Sequence, residues 1–80
     1  MGTLDGQGPR YSVRVFEAGA NGYGQTFGGH RAFSNAQTYF EAVQADRGAT
    51  ELWLTRLDGA EWVFVERLRR DGTGGWVKGP

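Results

Sequence analysis

Two runs rich in aromatic and β-branched residues, Glu51–Leu57 and Glu61–Leu68, flank the dipeptide Asp58-Gly59. Apolar alternation around Asp-Gly is a strong short-range hairpin signal, so Thr50–Arg70 reads as a β-hairpin closed by a type I′ turn. A two-residue loop at Asp58-Gly59 sets Leu57 opposite Ala60, Leu54 opposite Val63, Trp53 opposite Phe64 and Leu52 opposite Val65. It pairs Arg56 with Glu61 and puts Glu51 across from Glu66, a mild repulsion. Side chains alternate sides with period two. Leu52, Leu54, Val63 and Val65 therefore gather on an aliphatic face, and Trp53, Thr55, Leu57, Trp62, Phe64 and Leu68 on an aromatic one. A hairpin apolar on both faces needs two covers.

The rest of the chain offers one helix. Ser34 stands as N-cap with Gln37 three residues later and Phe33 at the staple position. From Asn35 to Arg47 the apolar residues Ala36, Tyr39, Phe40 and Val43 fall on one stripe, and Gly48 marks the stop. Such a helix roofs a single sheet face, and the aliphatic face is its natural seat. Ahead of it, Tyr11–Phe16 reads as a strand with Tyr11, Val13 and Val15 on one side and Ser12, Arg14 and Phe16 on the other. Asn21-Gly22 signals a turn into a short strand, Tyr23–Phe27, with Phe16 opposite Phe27. After Leu68, Asp71-Gly72 can turn Gly75–Lys78 back as a further edge strand. The expected fold is α+β: an antiparallel four- or five-stranded sheet in ββαββ order with one helix on one face. Residues 1–9 hold too few apolar side chains to offset ordering entropy and read as a flexible tail, leaving 10–78 as a single domain.

Size limits chemistry. A chain of 80 residues buries only about 60–65% of the surface its unfolded form exposes, which leaves little core for a separate catalytic cleft. Cys is absent and there is one His, so neither disulfides nor a transition-metal cluster is expected. His30 lacks a nucleophile and an orienting carboxylate at any recognisable spacing, and the acids Asp5, Glu41, Asp46 and Asp71 form no pair. The Gly-rich stretch Gly22–Gly29 matches neither phosphate-loop spacing. No cofactor and no enzymatic activity are expected. Met1–Arg10 has no apolar h-region and no apolar run exceeds Trp62–Val65, so neither signal peptide nor membrane span is expected and the default location is the cytoplasm. Eight of the nine basic residues are Arg, Ile is absent and Gly occurs 14 times, a composition that points to a GC-rich bacterial genome or a phage within one.

The surplus apolar face carries the functional expectation. Contiguous exposed apolar patches mark interaction surfaces, and Trp dominates interface energetics. The chain is expected to be a small protein-protein interaction module, working on a host protein or as a homodimer. Its partner-binding residues are Trp53, Trp62 and Phe64 as anchors, Leu57 and Leu68 at the edge, and Arg67 and Arg70 as polar rim. The alternative is a nucleic-acid-binding module that stacks bases on the same rings beside the nearby cluster of Arg67, Arg69 and Arg70. Zero formal net charge weighs against long-range attraction to phosphate.

Overall fold

Alternation along the strands decides the layering. The computed structural model describes residues 8–79, which form β1 (Arg10–Glu17), β2 (Ala20–Gly28), α1 (Ala32–Val43), β3 (Ala49–Asp58), β4 (Glu61–Arg70) and β5 (Trp76–Lys78). All pairings are antiparallel, in the order β2-β1-β3-β4-β5. This is the expected α+β arrangement, with the C-terminal strand present. Of the expected tail, Met1–Gln7 lie outside the described residues, while Pro9 accepts the Gly29 N–H at 3.1 Å.

The most apolar pair of strand faces takes the centre. Val13 opposes Leu54 and Val15 opposes Leu52 across β1 and β3, and all four are at most 2% exposed. Over them lie Ala36, Phe40 and Val43 of α1, with Ala49 and Leu68 completing the core and Tyr39 and Trp76 at its margin. The aliphatic face is thus roofed by the helix as expected. On β2, Tyr23 and Phe27 share this side, opposite Val15 and Tyr11. The expected facing of Phe16 and Phe27 does not occur, because the first hairpin turns earlier, at Ala18-Gly19, where Gly19 takes φ 72°. Asn21-Gly22 instead runs inside β2. A side chain at Gly22 or Gly24 would collide with the carbonyl oxygens of Val15 or Val13, so glycine lets β2 lie close against β1.

The helix begins three residues ahead of the expected Asn35 and ends four ahead of Arg47. Ser34 lies within it, its carbonyl accepting the Thr38 hydroxyl at 3.0 Å, and Arg31 at the N-cap donates no side-chain bond. Burial of Ala32 at the foot of the stripe outweighs the capping box, and Phe33 packs on Tyr11 at 5.2 Å while staying 44% exposed. Past Val43 the backbone tightens into i→i+3 bonds from Gln44, Ala45 and Asp46. Gly48 belongs to the next turn, where its N–H bonds Asp46 Oδ1 at 2.9 Å.

The second hairpin is offset from its expected register. Its loop is Gly59-Ala60, with Asp58 facing Glu61 and Leu57 facing Trp62. Gly59 has φ 65° and Ala60 is not left-handed, the pattern of a II′ turn in place of I′. The displacement is two residues, so face parity survives. Arg56 consequently faces Val63 and not Glu61. Further along, Val65 bulges between Thr55–Phe64 and Leu54–Glu66. Beyond it the parity of β4 changes. Leu68 crosses to the helix side opposite Leu52, and Glu51 faces Arg69 in place of Glu66.

Candidate functional site

The side of the sheet away from α1 has no covering element among the described residues. Its floor comes from alternate positions of β1, β2 and β3, Ser12 and Thr26 opposing each other on β1 and β2, and Thr55 on β3 opposite Ser12. Thr55 is 7% exposed and spends its hydroxyl on the Ser12 carbonyl at 3.3 Å. Around this floor stand the rings. Phe16 and Trp53 lie 4.6 Å apart between centroids, and Trp53 meets Phe64 edge-on at 5.1 Å. Trp62 and Phe64 are 45% and 50% exposed. Rings and floor together bound an open concavity of about 420 Å³.

Trp53 is anchored, while the outer rings of Trp62 and Phe64 stay about half-exposed. Its indole Nε1 donates to Glu51 Oε2 at 2.6 Å, and the same oxygen accepts Arg67 Nε at 2.7 Å. Arg67 spans the rim, its Cζ 5.9 Å from the Trp53 ring and 5.5 Å from Phe64, within cation–π range. Burial pushes the Glu51 carboxyl upward, but the bonds from Trp53 and Arg67 and the charges of Arg67 and Arg69 more than offset it and hold the group below the usual carboxylate range.

The sheet sorts charge by side. Arg10 and Arg14 share the helix-free side with Ser12 by alternation along β1, Arg67 shares it with Trp53, and Arg69 faces Glu51 there. Arg10, Arg14 and Arg69 are exposed. Glu51 is the one carboxylate on this surface among the described residues. Asp58, Glu61 and Glu66 fall on the opposite side with Leu54, Glu17 shares the side of buried Ala49, and Glu41, Asp46 and Asp71 belong to helix and loops. A chain neutral in sum is basic on one face.

Of the partner-binding residues expected from sequence, Trp53, Leu57, Trp62, Phe64 and Arg67 come together here. Two do not. Leu68 is 6% exposed in the core, moved there by the Val65 bulge. Arg70 is committed on the helix side: its guanidinium donates to the carbonyls of Ala49, Asp46 and Gly74 at 3.0, 2.7 and 2.7 Å and lies 3.9 Å from the Trp76 ring. Trp76 in turn donates Nε1 to the Gln44 carbonyl at 3.0 Å. That assembly ties β5 to the end of the helix. Sequence reasoning missed Arg10, Arg14, Phe16 and Thr26, and named Arg69 only in the cluster of the nucleic-acid alternative. Alternation had already put Arg14 and Phe16 on one side, but only the central position of β1 brings them beside Trp53.

A second polar cluster sits at the far end of α1. Tyr23 donates its hydroxyl to Asp46 Oδ2 at 2.8 Å, and that bond pushes the phenol up to about 12. The Tyr23 bond, with those from Glu17 and Gly48, holds Asp46 low, while sharing a hydrogen bond with Asp46 raises Glu17. These bonds fasten β2 to the helix end. His30 is exposed in the turn after β2. Among the described residues no three His, Cys, Asp or Glu side chains converge as a metal site, and no helix is long and apolar enough to cross a membrane. Comparison with known proteins finds no matching family model, no matching curated protein and no matching solved structure.

Proposed function

We propose that this chain is a non-enzymatic binding module that holds an anionic macromolecule against the helix-free face of its sheet. The observation that supports it is the sorting of charge: among the described residues Arg10, Arg14, Arg67 and Arg69 share that face with the exposed rings, against a single carboxylate, Glu51. Arg and aromatic residues are the types enriched where partners dock. Self-association through this face has less support, because two copies would press both sets of arginines together and the Glu51 carboxylate of each is already engaged by Arg67.

Retention on immobilised heparin tests the proposal while controlling for net charge. Arg14→Glu with Arg69→Glu should elute at much lower salt than wild type. Arg47→Glu with Arg56→Glu makes the same charge change at exposed positions away from the face, and should elute close to wild type once its net charge is allowed for. Equal loss from both pairs would mean that only overall charge matters, and the proposal would fall.

A further inference from the structure

We propose that the anionic partner is a single-stranded nucleic acid, with bases stacked on Trp62 and Phe64 and phosphates held by the arginines around the concavity; this rests on the reading of the helix-free face as an anion-binding surface. The rings decide between anionic partners. Carboxylates of an acidic protein would satisfy Arg10, Arg14 and Arg69 but would leave two large half-exposed aromatic side chains without a matching surface. Nucleobases supply both halves, a flat π-face for each ring and a phosphate for each guanidinium.

Spacing argues for an open strand. Trp62 and Phe64 are two residues apart on β4, so their anchor points lie about 7 Å apart, roughly twice the 3.4 Å rise of stacked bases. Bases must therefore separate from one another to lie on both rings. A single strand does this readily, whereas a duplex keeps its bases paired and turns only its backbone and groove edges outward. The surface beneath suits such a guest. Ser12 and Thr26 line the concavity with hydroxyls that can meet base edges. On the β2 side Gly24 has no side chain of its own and the Arg14 stem lies across it, which directs the Arg14 guanidinium toward the β2 edge, where a sugar–phosphate backbone can meet it. With three to four phosphates neutralised, the salt slope for a single strand is about −2 to −3, a loss of roughly twenty- to fifty-fold in affinity between 50 and 200 mM salt.

Titration with a twelve-residue oligothymidylate, read by tryptophan fluorescence, provides the test. Its duplex with oligoadenylate and poly-L-glutamate serve as competitors. The expected result is saturable quenching, at least tenfold preference over the duplex, and little competition by poly-L-glutamate. Trp62→Ser or Phe64→Ser should each weaken binding about tenfold; Trp62→Ser should unfold near the wild-type temperature, while Phe64→Ser also loses its edge-on contact with Trp53, so Trp62→Ser is the variant that separates binding from stability. Arg14→Gln with Arg69→Gln should flatten the salt slope. If duplex or poly-L-glutamate binds as well as the oligonucleotide and the ring variants bind normally, base stacking is wrong while the anion-binding face stands. If neither heparin nor the oligonucleotide is retained at low salt, both fall.

Discussion

Trp53 and Phe64 meet edge-on, ring centroids 5.1 Å apart with planes at 89°, on adjacent strands whose ladder breaks at the Val65 bulge. Phe16 closes the other side of Trp53 at 4.6 Å, and Glu51 takes its indole N–H. Trp53 is therefore a structural pillar of the face, and Trp62 is not. Trp53→Ala should cost about 2–3 kcal/mol by loss of packing, whereas Trp62→Ala should stay within about 0.5–1 kcal/mol. Denaturant unfolding of both variants gives the comparison, and equal costs would contradict the assignment of roles.

Arg70 should behave as a core residue despite its charge. Its guanidinium satisfies three backbone carbonyls and stacks on Trp76. Arg70→Ala leaves those carbonyls to find water and frees β5, at a cost of about 2–3 kcal/mol. Arg70→Lys should recover little, since a compact ammonium cannot make the planar three-way bridge or the stack. Amide exchange at Trp76, Val77 and Lys78 should accelerate in both variants more than exchange in β1.

The loop position that sets the hairpin register has open space around it but a backbone that favours glycine. Gly59 holds φ 65° with nothing near a Cβ added there, so Gly59→Ala should lose about 1–2 kcal/mol through left-handed strain alone. Gly72→Ala, at a position with ordinary φ and equally open space, should be close to neutral. Because an added Cβ meets nothing at either position, thermal unfolding of the pair isolates the conformational strain.

Acid should weaken the contribution of Glu51. Because its carboxyl is held below the ordinary value of 4.5 in the folded protein, the stability it confers is fully present above that value and is lost as pH falls through the depressed one. Glu51→Gln should therefore be less stable than wild type at neutral pH, by about 1 kcal/mol or less for a partly exposed pair. The difference should vanish as pH falls well below 4.5. A gap that widens on acidification would show that Glu51 is repelled by its neighbours.

Much of this fold was legible because local rules and burial agreed. The strand alternation of Tyr11–Phe16, the stripe through Ala36, Tyr39, Phe40 and Val43, and the two-faced hairpin each found their expected surroundings. Where they failed, a nonlocal demand had won. Asn21-Gly22 is the better turn dipeptide, yet the turn at Gly19 lets Tyr23 and Phe27 reach the helix side, where Tyr23 bonds Asp46. Ser34 is the better cap, yet starting at Ala32 buries that residue completely. The Val65 bulge has no signature of its own, and so Leu68 and Arg70 were assigned to the wrong side. The basic character of the open face was hidden for another reason: it depends on β1 lying next to β3, and a net charge of zero averages over both sides of the sheet.

Binding on the helix-free face is read directly from the three indole N–H signals, resolved by nuclear magnetic resonance during titration with oligothymidylate. Trp62 and Trp53 belong to the helix-free face, while Trp76 lies on the helix side with Nε1 bonded to Gln44. The Trp62 signal should shift or broaden most, Trp53 should follow, and Trp76 should hold its position. Movement of Trp76 with Trp62 and Trp53 unchanged would put binding on the other side of the molecule and rule out the helix-free face as the docking surface.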